Sequence, residues 1–154
     1  MNKVFISWDE FHKDCDIAAS KVLANHKKID TIVSLSRGGL VPARIMAEHI
    51  KPDNFYVMGV SLYDGFERKE TVSVYQELPE HMYRRRSDNI LIIDDVSDGG
   101  ATLNFVHSKI KESSPDTLII TTTPYIKTGT TFIPNYYTKE YSTDEWIVFP
   151  FEND

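Results

Sequence analysis

The sequence predicts an α/β fold, a mainly parallel sheet flanked by helices. Short apolar, β-branched runs of strand length alternate with segments of roughly ten residues patterned as helices, the order expected of parallel strands joined by helical crossovers. No repeat, low-complexity stretch or compositional break marks a linker, so the 154 residues fit a single domain, 1–154, long enough to bury a substantial core.

Residues 4–7 form a short apolar stretch. Ser7 with Glu10 three residues on is a capping-box signature for a helix beginning near Trp8. Phe11, Cys15, Ala18 and Val22 then recur at helical spacing and carry that helix to about Asn25. Residues 31–35 are rich in β-branched side chains and predict a strand. Ser36-Arg37-Gly38-Gly39 breaks it, and Leu40-Val41-Pro42 opens a helix that ends before Pro52. Residues 55–60 read as a buried strand, 64–69 as a polar loop around Gly65, and 71–75 as an alternating strand. A strand over 90–93, a helix over 101–110 and a strand over 117–122 follow. Beyond Pro124 the chain reads as irregular and aromatic, through Tyr136, Tyr137, Tyr141, Trp146 and Phe149.

Composition excludes some functions. The apolar share of 41% and charged share of 26% are those of an ordinary soluble protein. A net charge of −6 argues against a nucleic-acid groove, which needs a surplus of Lys and Arg. The basic run Arg84-Arg85-Arg86 reads as a solvated turn ahead of a strand. The lone Cys15 permits no intramolecular disulfide and fits a reducing cytoplasm. No signal-like leader and no apolar run of membrane-spanning length is present, so a cytoplasmic protein without an integral membrane segment is expected. His12, His26, His49, His81 and His107 are scattered in no metal-ligand pattern, and no Gly-x-Ser-x-Gly elbow occurs.

Ligands of open α/β sheets bind where strands end and the chain turns into helices. Two such turns have unusual composition. In Asp94-Asp95-Val96-Ser97-Asp98-Gly99-Gly100-Ala101-Thr102, the small residues leave backbone N–H groups open at a helix start, an anion site to which Thr102 adds a hydroxyl. The spacing is neither the nucleoside-triphosphate loop nor Gly-x-Gly-x-x-Gly. Adjacent carboxylates would repel a phosphate, and make sense if they accept from sugar hydroxyls or hold a divalent metal. Phosphate with vicinal hydroxyls describes a ribose 5-phosphate. The bland alternative is a capped turn with Asp98 as N-cap of the helix. In the other turn, Arg37 beside Ser36, Gly38 and Gly39 pairs a phosphate-reaching guanidinium with backbone that a ligand can approach closely.

The stretch from Ile90 to Thr102 resembles the phosphoribosyl pyrophosphate motif of type I phosphoribosyltransferases, with Gly99 where that family usually has threonine. The resemblance runs over nearly the whole chain and is strongest to the bacterial xanthine-guanine members. It includes Trp8-Asp9, the pyrophosphate loop from Ser36 to Pro42, Tyr63-Asp64 at the start of the mobile hood, Lys127, and Trp146-Ile147 ahead of Pro150-Phe151-Glu152. It implies the type I fold with a hood from the chain ends, and a non-proline cis peptide between residues 35 and 37. It implies binding of phosphoribosyl pyrophosphate and a purine base, Mg²⁺ as cofactor, and a homodimer or homotetramer. Ser36, Arg37 and Gly38 would bind pyrophosphate, with Lys69 or its neighbour Arg68 brought in by the hood. Asp94 and Asp95 would hold ribose hydroxyls, with Asp95 also on the metal. Gly99, Gly100, Ala101 and Thr102 would hold the 5-phosphate, and Asp98 would be the catalytic acid–base near N7. Trp146 would stack on the base, the Ile147 backbone would read its edge, and Lys127 would donate to the 6-oxo group. The activity implied is transfer of ribose 5-phosphate to N9 of guanine, xanthine or hypoxanthine. Alternatives left open are another acceptor base, a non-catalytic sensor of phosphoribosyl pyrophosphate, and an unrelated nucleotide-binding α/β protein.

Overall fold

The computed structural model describes residues 1–64, 70–84 and 88–153. The chain runs through β1 (Asn2–Phe5), α1 (Trp8–Asn25), β2 (Thr31–Ser36), α2 (Leu40–Ile50), β3 (Asn54–Asp64) and β4 (Glu70–Gln76). It continues with α3 (Glu80–Tyr83), β5 (Asn89–Ile93), β6 (Val96–Ser97) and α4 (Ala101–Ser113). The last elements are β7 (Leu118–Thr122), β8 (Tyr125–Lys127), β9 (Lys139–Tyr141) and β10 (Glu145–Val148).

The central sheet has the order β4-β3-β2-β5-β7. β2 pairs parallel with β3 and β5, β5 parallel with β7, and β4 alone runs antiparallel, along β3. After β2 the chain moves to one side of the sheet, and after β5 to the other. The order therefore reverses between these two strands, and a crevice opens at their carboxyl ends.

Side-chain alternation divides the core in two. Ile32, Leu91, Ile93 and Ile120 face α1 and α2, where Phe11, Cys15, Ala18, Val22, Ala43 and Met46 meet them. Val33, Leu35, Ile90, Ile92 and Ile119 face the other way, against Leu103, Val106 and Ile110 of α4. Each strand residue thus serves one layer only, as a period of two requires. Burying a side chain such as Leu91 contributes about 1.5–3 kcal/mol. The α1 start is as the sequence predicts. Ser7 is its N-cap, with Oγ accepting the Glu10 N–H at 3.1 Å. The Glu10 carboxylate does not close the box and instead pairs with Lys139 at 3.0 Å.

The chain ends form a separate ribbon, since β1 pairs parallel with β10 and sets Lys3 opposite Trp146. This is the hood from the chain ends. A third small sheet has the order β6-β8-β9. The tail after Pro124 is therefore not irregular: β8, β9 and β10 are strands of three or four residues. Elements so short carry too little alternation to be seen, which also explains β1, β6 and the four-residue α3. Two expected strands lengthen, β3 to Asp64 and β4 to both sides, and α4 continues to Ser113. Arg84 caps α3 and pairs with Glu80 at 2.8 Å; Arg85 and Arg86 lie outside the described residues. Among the described residues no helix is long and apolar enough to cross a membrane. Cys15 is a free thiol, buried in the core.

Candidate active site

Two loops leave the carboxyl ends of β2 and β5 and meet across the crevice. The first, Ser36 to Gly39, contains a cis peptide between Ser36 and Arg37 and ends as Gly39 caps α2. The second begins with Asp94 and Asp95. A Cβ built on Gly38 would lie 2.3 Å from Asp95 Oδ2 and 2.6 Å from its Cγ. The carboxylate therefore rests against the Gly38 backbone, in space that only glycine leaves open.

The two aspartates are braced by their own backbone. Asp94 Oδ1 accepts the Asp95 N–H at 2.9 Å, and Asp95 Oδ1 accepts the Val96 N–H at 2.8 Å. Burial raises Asp94 well above the ordinary carboxylate range, and the neighbouring Asp95 charge adds to the rise. Burial pushes Asp95 up to about 6, against opposing hydrogen bonds with Asp94 and the Val96 N–H, while the Glu152 charge adds to it. Confined carboxylates raised this way are stabilised in their ionised form by an incoming cation or by hydroxyl donors.

A cavity of about 1120 Å³ opens over this pair. Ser36, Arg37, Gly38, Asp94, Asp95 and Thr102 line it from the strand ends, and Val60, Ser61 and Tyr75 from β3 and β4. Trp146, Val148, Phe151 and Glu152 line it from the chain end. Trp146 is 54% exposed and lines the cavity, so it is a wall of the site and not core packing. Phe151 closes the same side. It stacks on Phe149 at 5.1 Å between ring centroids and meets Phe11 at 5.5 Å and Trp8 at 6.3 Å. Trp8 at the head of α1 thereby supports the wall of the site.

A second, smaller pocket of about 80 Å³ adjoins it, sharing Asp94 and Thr102 and bounded by Ser97, Asp98, Gly99, Gly100 and Ala101. Its floor is the start of α4. Gly100 is the N-cap there, left-handed at φ 94°, with no side-chain cap hydrogen bond. Asp98 is thus not the N-cap; it is exposed at the rim of this pocket. The loop is pinned from behind by residues the sequence reading passed over. Thr131 donates to the Gly99 carbonyl through its N–H at 3.0 Å and its hydroxyl at 2.7 Å. Ser97 donates to the Phe132 carbonyl at 2.6 Å. A Cβ on Gly100 would come within 2.5 Å of Thr131 Oγ1. The signal available was the run Thr128-Gly129-Thr130-Thr131, a polar interruption in an otherwise aromatic tail.

Of the expected site residues, Ser36, Arg37, Gly38, Asp94, Asp95, Thr102 and Trp146 are gathered around the large cavity, and Asp98, Gly99, Gly100 and Ala101 around the small one. Lys127 and Ile147 line neither. Lys127 is buried, and its ammonium donates to the carbonyls of Ser142, at 3.3 Å, and Glu145, in a short contact. It thus supports the turn that delivers Trp146. Ile147 is buried one residue behind that ring, opposite Val4. Lys69 and Arg68 lie outside the described residues. Tyr75 and Thr131 were not anticipated, and Phe151 only as part of a motif with no role assigned to it. Among the described residues no cluster of three or more His, Cys, Asp or Glu side chains is arranged to hold a metal alone.

Comparison with known proteins bears directly on this architecture. The chain is 28% identical over 149 residues to a xanthine-guanine phosphoribosyltransferase of Idiomarina loihiensis, covering 96% of this chain and 86% of the relative. It is 28% identical over 153 residues to one of Nitratidesulfovibrio vulgaris, covering 99% and 86%. Among solved structures, a purine phosphoribosyltransferase of Pyrococcus horikoshii superposes with a TM-score of 0.80 at 30% identity, over 100% of this chain and 97% of that one. Residues 7–154 match the family described as the phosphoribosyl transferase domain, so that the crevice between β2 and β5 belongs to a chain of the phosphoribosyltransferase family.

Proposed function

We propose that this protein transfers ribose 5-phosphate from phosphoribosyl pyrophosphate to N9 of a 6-oxopurine, releasing pyrophosphate, as a step of purine salvage. The observation that carries the reading is the contact of Asp95 with Gly38. It joins the sugar end of one loop to the pyrophosphate end of the other within a single cavity whose far wall is Trp146.

In this reading the 5-phosphate sits on the Gly99 to Thr102 backbone at the positive end of α4. Asp94 and Asp95 accept from the ribose hydroxyls. Pyrophosphate lies against Ser36, Arg37 and Gly38, where the guanidinium and loop N–H groups stabilise the charge that leaves C1. Lys69 or Arg68, as the family resemblance implies, adds a second positive charge on the pyrophosphate. The base stacks on Trp146. Asp98, exposed at the rim of the small pocket, accepts or returns the N7 proton as the acid–base. Lys127 has three N–H donors and two carbonyl acceptors among the described residues, which leaves one N–H to read the 6-oxo group. The Ile147 backbone reads the adjacent edge.

The donor set fits Mg²⁺. Two hard carboxylate oxygens raised in pKa want a cation, and their small number suits an ion that completes its shell with substrate oxygens and water. Asp95 would hold it, with Asp94 behind. When bound, Mg²⁺ offsets the negative charge collecting on the departing pyrophosphate. A cytoplasmic setting and a homodimeric or homotetrameric assembly remain part of the proposal.

Acceptor choice is tested with a panel of bases. Nucleoside monophosphate should form with guanine, xanthine or hypoxanthine and not with adenine, and Lys127→Ala should raise KM for the 6-oxopurine by about tenfold. Equal turnover of adenine, or an unchanged KM in the variant, would remove Lys127 as the reader of the base.

A further inference from the structure

Tyr75 sits on β4, at the edge of the central sheet, yet its hydroxyl reaches β2, two strands away. Ser36, the last residue of β2, pairs with Gly59 on β3, and Gly59 pairs with Gln76 on β4, so 36, 59 and 76 form one row across three strands. The β3–β4 ladder shifts register between Gly59 and Val60, a bulge that turns the neighbouring side chain toward the row. The phenol ring then lies across Gly59: a Cβ built there would fall 2.3 Å from Tyr75 Cε2 and 2.6 Å from Cδ2. Over that gap the O–H donates to Ser36 Oγ at 2.8 Å and to the Ser36 carbonyl at 3.2 Å. The side chain is 57% exposed and borders the large cavity, so water was available to this hydroxyl; it is committed instead to the residue that leads into Arg37 and Gly38.

We infer that Tyr75 is a positioning residue for the pyrophosphate half of the substrate, acting through Ser36; the inference rests on the transferase reading above. A bulge, a glycine with no room for a side chain and an aimed phenol together hold Ser36 in one rotamer and fix the carbonyl that precedes Arg37. Loss of the hydroxyl frees the pyrophosphate loop without touching the base wall at Trp146. The cost falls on binding of the pyrophosphate group and spares binding of the purine.

Tyr75→Phe separates hydroxyl from ring, since the ring keeps its place over Gly59. KM for phosphoribosyl pyrophosphate and Kd for pyrophosphate should each rise roughly 3- to 10-fold, the size of one neutral hydrogen bond, while KM for the purine and the melting temperature stay unchanged. Gly59→Ala, which displaces the ring, should reproduce the shift. Combined with Ser36→Ala, Tyr75→Phe should cost less than the product of the two single losses, because it acts through Ser36. An unchanged pyrophosphate affinity in Tyr75→Phe, an equal rise in KM for both substrates, or losses that multiply fully in the double variant would each overturn the inference. Absence of pyrophosphate release by the wild-type protein with every base would overturn the transferase reading instead, and this inference with it.

Discussion

Asp98 and Asp95 face different tasks, and their surroundings separate them. Asp98 is exposed and caps no helix, so Asp98→Asn should leave the melting temperature unchanged while lowering kcat by roughly 10²–10⁴-fold, the range for removing a positioned acid–base. A kcat near that of wild type would remove Asp98 from the chemistry. Asp95 is the reverse case, a group that destabilises the empty fold. Burial raises its carboxyl from the ordinary 3.8 to about 6 on folding, so the folded state holds the proton more tightly than the unfolded chain. The contribution of Asp95 to stability is then most favourable below pH 4 and falls as pH climbs from about 4 to about 6, above which the loss is complete. Asp95→Asn should therefore raise the melting temperature at pH 7.5, with the gain shrinking below pH 5, while binding of Mg²⁺ with phosphoribosyl pyrophosphate is lost. A variant less stable than wild type at pH 7.5 would contradict this. Three aspartates within five positions at a strand end are conspicuous in the sequence, because nothing in a core needs them. Tyr75 is not conspicuous. It reads as one more residue of an alternating strand, and its reach to Ser36 depends on the register shift opposite Gly59 and Val60 that leaves Tyr75 without a ladder partner, which the sequence does not display.

The two loops owe their shapes to what packs behind them. The loop after β5 is held from outside its own segment by Thr131, which donates to Gly99, and by the Phe132 carbonyl, which accepts from Ser97, and Gly100 fits only because it has no Cβ. Gly100→Ala combines a left-handed φ with a contact of 2.5 Å to Thr131 Oγ1, and should cost more than about 1 kcal/mol of stability as well as weaken the 5-phosphate site. Chemical denaturation with phosphoribosyl pyrophosphate titration would show both losses together; a variant as stable as wild type would show that the loop yields freely. The long elements were legible because each carries several periods of its pattern: Phe11, Cys15, Ala18 and Val22 on α1, and the unbroken apolar run of β5. The strands of the tail were not. β8, β9 and β10 are defined by whom they pair with, β10 with the very first strand of the chain, and such long-range pairing leaves little local trace. Lys127 shows the same limit. Its place ahead of Trp146 was readable, but its burial beneath the carbonyls of Ser142 and Glu145 depends on how β8 and the 142–145 turn meet.

The assembled site draws on the full length of the chain. β1 and α1 support the wall at Trp146 and Phe151, β2 and β5 supply the two loops that meet across the crevice, β3 and β4 carry one flank, and the last residues close the other. The cavity lies where strand order reverses, between β2 and β5; its place at strand carboxyl ends was legible from the alternation of strands and helices, whereas the strand order came only with the pairing. Its union of a phosphate cradle, an acidic pair, an arginine loop and an aromatic wall is what makes a transferase the best account, since a sensor of the sugar alone has no use for Trp146. The most direct measurement is pyrophosphate release with phosphoribosyl pyrophosphate, Mg²⁺ and guanine, xanthine or hypoxanthine supplied together and with each omitted in turn. Pyrophosphate should appear only when all three components are present, in step with nucleoside monophosphate. Binding of phosphoribosyl pyrophosphate without release in the presence of any base would contradict the account.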